Sequence, residues 1–306
     1  MRRWLAKAAL QRGLGFLPQG ERVNYLFQRH VTRSLPTDES VFRRKFARAV
    51  QHLRAYEEHG PGTRAADAVF YEFGVGWDLA IPLSYAALGV ARQVLVDIRP
   101  SARAELVNDS IAAFERLWDE LQAEAGRELR PLPDAVRDVS ELEERLGILY
   151  LAPRDARATG LPAESVDFVS STDVCEHVPA DDLAAIFREC QRLLRPGGAF
   201  SCRIDLQDHY AYFDRRLSPY NFLRFSDRAW RLFNSPLHYQ NRLRAPDYLR
   251  LVREAGFELV AERPSGPSED GLAQLRSLPL ATSFRGYAPE EAGVTVLSLV
   301  ARRPSA

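Results

Sequence analysis

Short apolar runs alternating with longer helical stretches predict an α/β fold, a parallel sheet covered by helices on both faces. Three observations carry this reading. Seven runs of strand length follow residue 66: Ala68–Phe73, Gln93–Asp97, Ile148–Leu151, Val166–Ser171, Ala199–Ile204, Phe257–Ala261 and Val294–Ala301. Helical patterns such as Ser101–Ala125 and Asp181–Leu194 separate most of them. The first run ends in a Gly-x-Gly turn, and the second ends in an acid.

Ahead of the sheet, residues 1–62 read as helical. Leu35-Pro36-Thr37-Asp38 breaks the chain, and Thr37 can cap the next helix. Val41, Phe42, Phe46, Val50 and Leu53 then repeat at helical spacing. Gly60-Pro61-Gly62 ends this part and sets a boundary, with residues 1–62 as a helical extension and 63–306 as the main domain.

Composition narrows the class. The 306 residues hold 41 Lys+Arg against 41 Asp+Glu, so no general basic excess points to nucleic acid. Residues 1–60 nevertheless carry 12 basic and 5 acidic residues, a local excess of seven. That basic start could touch a membrane surface, although packing on the domain is the expected role. Lys7 and Arg12 interrupt any signal-peptide core, and the apolar run Leu79–Ala91 is too short to span a bilayer. Three cysteines, Cys175, Cys190 and Cys202, match neither a disulfide scaffold nor a zinc spacing. A cytoplasmic protein is the expectation.

The chemistry begins at Glu72-Phe73-Gly74-Val75-Gly76-Trp77-Asp78. Glycines here let the backbone turn tightly and approach a ligand closely. Asp97, 25 residues after Glu72 and followed by Ile98, is placed to take hydrogen bonds from ribose hydroxyls. Together the two signals indicate a nucleoside-containing cofactor. A dinucleotide fingerprint would put glycine at position 79, where Leu79 stands.

The pattern resembles the class I S-adenosylmethionine-dependent methyltransferases, in particular the bacterial small-molecule group. Further segments follow that family's order: Arg154-Asp155-Ala156, Gly160-Leu161-Pro162, Asp167 to Ser171, Asp173-Val174-Cys175-Glu176-His177, Leu194-Arg195-Pro196-Gly197-Gly198, and Ala255-Gly256-Phe257. The resemblance covers about residues 66–302. It implies a Rossmann-like doubly wound sheet of seven strands, mostly parallel with the last antiparallel, and S-adenosyl-L-methionine as cofactor. It also implies that Glu72, Phe73, Gly74 and Gly76 face the methionine part, and that Asp97 and Ile98 face the nucleoside. Asp155 and Ala156 would hold adenine, and Thr172 would line the cofactor. His177 is the expected general base, with Asp205 and His209 at the same mouth. No residue set is expected to hold a metal.

One departure stands out: Asp78 occupies the family's third-glycine position, behind bulky Trp77. Asp78 could cap the next helix, pair with the cofactor's ammonium, or mark a weakened site. The rival reading is therefore a catalytically silent domain of the same fold. Methylation of nucleic-acid amino groups is disfavoured, because the loop after the fourth run reads Ser171-Thr172-Asp173-Val174. The aromatic stretch 207–244 is the expected acceptor lid. Asn241, Arg242, Arg244, Arg215 and Arg216 are candidates to meet an anionic small-molecule or sugar acceptor, with oxygen as the expected methyl target. The first 60 residues are expected to form a second wall of that mouth, with side chains from residues 14–33, such as Tyr25 or Arg29, in contact with it.

Overall fold

The structure, a computed structural model, describes residues 35–235 and 239–305, together with Trp4, Leu5, Lys7, Ala8, Tyr25 and Arg29. The expected seven strands all form: β1 (Val69–Phe73), β2 (Arg92–Val96), β3 (Ile148–Leu151), β4 (Val166–Thr172), β5 (Leu194–Asp205), β6 (Glu258–Ser265) and β7 (Val296–Arg302). Their order is β3-β2-β1-β4-β5-β7-β6. β7 runs antiparallel to both β5 and β6, and the pairs among β1 to β5 are parallel. The order reverses direction between β1 and β4, the place where open α/β sheets bind ligands beyond the strands' carboxyl ends.

Helix α1 (Glu39–His59) opens with Asp38, whose carboxylate accepts the Val41 N–H at 3.0 Å. Its apolar residues Phe42, Phe46, Ala49, Val50 and Leu53 recur at helical spacing and are buried. They pack with Phe70, Phe168 and Ala199 of the sheet in one continuous core. The turn at Gly60-Pro61-Gly62 therefore ends a helix but does not divide the core, and α1 belongs to the sheet rather than to a separate extension.

The helices α2 (Ala80–Ala87), α3 (Ala104–Ala125) and α4 (Glu141–Leu146) connect the first strands, and α5 (Ala180–Leu193) joins β4 to β5. Helix α2 is buried along its whole length, in keeping with its uninterrupted apolar sequence. Helix α8 (Ala245–Glu254) packs beside α5 against the opposite core of Phe187, Phe200 and Phe257. No helix among the described residues is long and apolar enough to cross a membrane.

Beyond β5 lies a cap. The short helices α6 (His209–Phe213) and α7 (Asp227–Phe233) bury Tyr210, Phe222 and Trp230. They share that core with α9 (Glu269–Ser277) and α10 (Pro289–Ala292), through Leu275, Phe284 and Ala292. The cap is thus larger than the stretch 207–244. The β6–β7 connection, which could have been a short hairpin, supplies its second half.

His52 of α1 pins that helix to the sheet. One ring nitrogen lies 2.7 Å from Ser201 Oγ and the other 3.0 Å from Thr172 Oγ1. Burial, followed by the nearby Arg203 and Arg48 charges, pushes His52 down to about 3 from an ordinary 6.5. The unfolded chain therefore binds a proton that the native state refuses between those two values. Stability from this site is complete above pH 6.5 and is lost as pH falls toward 3, by up to about 1.4 kcal/mol per unit. Denaturant unfolding at pH 5 and pH 7 should show a steeper loss in the wild type than in His52→Gln; equal slopes would remove His52 from the acid response.

Candidate active site

The site forms where β1, β2, β4 and β5 end. Gly74 and Gly76 both adopt left-handed backbone conformations, with φ of +73° and +74°. At Gly74 an added Cβ would meet Val174 at 2.4 Å, so the loops after β1 and β4 touch there. At Gly76 an added Cβ would meet nothing within 4 Å, so the backbone faces open space. Glu72 is buried at 4% exposure, and its Oε2 has no hydrogen-bond partner. Burial pushes its carboxyl up to about 8, against a modest opposing pull from Lys45.

Asp78 does not obstruct this loop. Its carboxylate turns into the wall, accepting from Lys45 Nζ and Thr37 Oγ1 at 2.6 Å each and from the Ala80 N–H at 3.2 Å. Burial alone would raise its pKa; the Lys45 ammonium and these hydrogen bonds together hold it below the usual carboxylate range. The N-cap position of the next helix is Leu79, so Asp78 does not cap it in the expected way but takes the N–H of its first residue, Ala80, and the ammonium it pairs with is that of Lys45. Trp77 leaves the loop entirely and stacks on Tyr25, with ring centroids 5.4 Å apart.

Asp97 ends the strand beside Ile98, which is 62% exposed. Its carboxylate accepts the Arg99 N–H at 3.0 Å, and its carbonyl accepts the Arg154 N–H at 2.8 Å. That second bond brings the segment of Asp155 and Ala156 to the same edge. The Asp155 carboxylate, however, is gripped by Arg157, which also reaches Asp182 at 2.6 Å. Phe73 buries its ring in the core, leaving only its backbone at the turn. Thr172 gives its hydroxyl to His52 and thus to the α1 side of the sheet.

The expected catalytic residues do meet. His177 and His209 have ring centroids 4.9 Å apart, and His209 Nε2 lies 3.6 Å from Asp205 Oδ2. His177 Nδ1 lies 2.7 Å from the Tyr239 carbonyl oxygen. A carbonyl only accepts, so Nδ1 carries the proton and Nε2 keeps its lone pair. Burial, then the neighbouring His209, lowers the His177 pKa below its ordinary value. Asp205 also accepts from Tyr212 Oη at 2.5 Å. Burial works against its charge, and the His209 and Tyr212 contacts together overcome it.

Glu176 shares its loop with His177. It is 1% exposed, its Oε1 accepts the Asp205 N–H at 3.3 Å, and its Oε2 has no partner. Burial, then the Asp173 charge, raises its pKa well above normal. Nothing in the sequence separates such an acid from a solvated one. The loop carrying it is held by Asp173, at φ +54°, between the guanidiniums of Arg48 and Arg203.

Several expected site residues prove structural. Arg244 is fully buried and donates to the Leu206 carbonyl at 2.8 Å and to that of Val294. Arg242 holds the carbonyls of Phe222 and Phe225 and the Asp227 carboxylate. Asn241 donates to the carbonyls of Cys175 and Val178, both at 2.8 Å. Arg216 pairs with Asp214 at 2.8 Å. Arg244, Arg242 and Asn241 thus hold the fold together, whereas Arg216 stays exposed beside Asp214 at a cavity in the cap. At the N-terminus, Tyr25 and Arg29 lie not at the cap but near Trp77 and Glu105. Trp4 and Lys7 reach the cap instead: Trp4 packs on Tyr210 and Phe233, and Lys7 lies over the Phe213 ring. The rest of the expected wall falls outside the described residues.

A family model described as a methyltransferase domain matches residues 131–202, from the segment before α4 into β5. Among solved structures the chain is similar to the geranyl diphosphate C-methyltransferase of Streptomyces coelicolor A3(2), at 13% identity. The match covers 84% of this chain and 78% of that one, with a TM-score of 0.45. N-methyltransferase NodS of Bradyrhizobium japonicum WM9 matches at 14% identity over 86% and 97%, with a TM-score of 0.43. A SAM-dependent methyltransferase of Methanosarcina mazei matches at 12% over 79% and 94%, with a TM-score of 0.42. No curated protein matches. The strand order and the glycine turn after β1 agree with the methyltransferase-domain match, which covers about a quarter of the chain.

Glu72 gives a direct test of the site's electrostatics. Its folded pKa of about 8 exceeds the ordinary 4.5, so its contribution is intact below 4.5 and is lost as pH rises toward 8. Glu72→Gln should therefore stabilise the cofactor-free protein by roughly 2–3 kcal/mol near pH 8 and change little near pH 5. Thermal unfolding at both pH values checks this, and an unchanged midpoint near pH 8 would contradict the unpaired burial.

Proposed function

We propose that the protein is an S-adenosyl-L-methionine-dependent methyltransferase that methylates an oxygen of a small-molecule or glycan-related acceptor held under the aromatic cap. The observation that carries this reading is the neutral His177, its Nε2 lone pair left open at the mouth beside His209 and Asp205. An oxygen nucleophile needs a group to receive its proton, whereas a carbon or amine acceptor has different needs.

The residues at the carboxyl ends of β1 and β2 fit the cofactor. The partnerless Glu72 carboxylate suits an ammonium group, and Gly76 leaves room where a side chain would intrude. Asp97 suits a ribose diol, and exposed Ile98 offers an apolar surface to a purine. We assign the methionine part to Glu72, Gly74, Gly76 and the backbone of Phe73, and the nucleoside to Asp97, Ile98, Ala156 and Asp155. Asp155 serves adenine only if Arg157 yields it, and Thr172 contributes backbone alone. When bound, the cofactor supplies a methyl group already activated by its sulfonium charge.

The chain's own work is alignment and proton handling. His177 receives the acceptor's proton at Nε2, while the Tyr239 carbonyl fixes the ring. Asp205 lies beside His209 and is itself held by Tyr212. The cap excludes water from the mouth. Asp208, fully buried, is a structural member: it accepts the Tyr210 N–H and the Asn221 amide, both at 2.9 Å.

Two measurements check these assignments. Asp97→Ala should weaken S-adenosylmethionine binding by about 1.5–3 kcal/mol, the scale of hydrogen bonds to a charged group. Unchanged affinity in a calorimetric titration would remove Asp97 from the site. Separately, the methyl-labelled cofactor should deliver its label as an O-methyl group when offered hydroxylated metabolites and short glycans. His177→Asn should then lower turnover while leaving cofactor affinity intact. Label recovered as N-methyl or C-methyl would overturn the oxygen assignment.

A further inference from the structure

Three side chains at the mouth converge more closely than a base and its support require. One ligand-capable atom from each of Glu176, His177 and His209 lies within 4.8 Å of the others. We propose that these three residues bind a divalent transition-series cation, with Asp205 beside them to complete its shell.

Two orphaned atoms point to a missing positive centre. Glu176 Oε2 and His209 Nε2 are both buried without a hydrogen-bond partner. Leaving a buried polar atom unpaired is costly, and a carboxylate more so. A cation between them would satisfy both. His177 adds an independent sign: its Nδ1–H is spent on the Tyr239 carbonyl at 2.7 Å. A backbone carbonyl on the far nitrogen is the common outer support of a metal-bound imidazole, because it fixes the tautomer and aims the lone pair. The 3.6 Å between His209 Nε2 and Asp205 Oδ2 is too long for a good hydrogen bond. It suits two neighbouring ligands on one ion, each about 2.0–2.2 Å from it.

The donor set selects the ion. Two imidazoles and one or two carboxylates favour zinc, iron, manganese or cobalt, whereas magnesium and calcium prefer all-oxygen shells. Its position gives it a task. The loop carrying Glu176 and His177 touches Gly74 through Val174, which places the cluster next to the cofactor turn. A cation there would hold the acceptor oxygen and ease loss of its proton, which leaves to solvent past half-buried Asp205. This inference rests on the mouth being the acceptor site and changes one role in it: with the ion bound, the His177 lone pair is a ligand.

The test uses the whole chain, stripped with a chelator and free of cofactor. Calorimetric titration with manganese or zinc salts alone should show one saturable site per chain, and magnesium should bind far more weakly. Glu176→Gln and His209→Gln should each weaken binding at least tenfold. Asp97→Ala should leave it unchanged. Because Glu176→Gln keeps the shape of a buried acid group whose Oε2 lacks a partner, its unfolding midpoint without metal should not fall, so the loss cannot be blamed on misfolding. Cobalt should add a visible absorption band in the wild type that His209→Gln lacks. No saturable binding, or equal binding in the variants, would overturn the site. Cofactor titration of the same protein keeps the two readings apart, since cofactor binding without metal binding sinks only the cation site. Metal binding without cofactor binding counts against the assigned cofactor residues alone.

Discussion

The active site depends on how α1 docks across the sheet. That helix contributes an apolar face to the core, and its polar residues reach the carboxyl ends of β1 and β4 and the middle of β5. Lys45 holds Asp78 after β1, Arg48 holds Asp173 after β4, and His52 joins Thr172 on β4 to Ser201 on β5. Each contact is partly or wholly buried, where charge pairs are less screened and orphaned groups cost more. Removing α1 would take Lys45 from Asp78 and would leave Asp173 with Arg203 but without Arg48. The loops that carry Gly76 and Glu176 would then lose their fixed positions.

This docking also explains the departure at position 78. A third glycine is replaceable when the new side chain has somewhere to go other than the cofactor space. Asp78 goes into the wall, where a lysine, a threonine and a helix N–H receive it. Trp77 goes outward, onto Tyr25. The lysine is one of only two in the chain, and it faces both Asp78 and Glu72. The silent-domain alternative therefore loses the feature that motivated it.

The fold was legible because burial imposes a period on a strand or a helix. All seven strands overlap the apolar runs, although β5 starts earlier and β6 runs on through Glu262 to Ser265. The site was legible in part. His177, Asp205 and His209 converge because they follow the carboxyl ends of neighbouring strands, a rule of topology rather than of residue type. What stayed hidden depends on contacts between distant segments. Arg242 and Arg244 read as surface charge, since a buried arginine is rare and its carbonyl partners leave no sequence trace. His52 and Glu176 lie on ordinary-looking stretches, and only the fold strips them of water.

The cap shows the same logic applied to a surface. Its rings could not form a stable layer alone, since α6 and α7 are short and isolated short helices are marginal in water. They are held from three sides. Arg242 and Arg244 thread guanidiniums into carbonyls of the cap and of the segments flanking it, the β6–β7 connection adds Leu275 and Phe284, and Trp4 fills a gap between Tyr210, Phe225 and Phe233. Tyr25, also near the start of the chain, stacks on the cofactor loop through Trp77. The beginning of the chain thus supplies one aromatic anchor to the acceptor cap and another to the cofactor turn. Trp4 thus fixes a wall of the cap, and Tyr25 fixes the loop after β1 through Trp77.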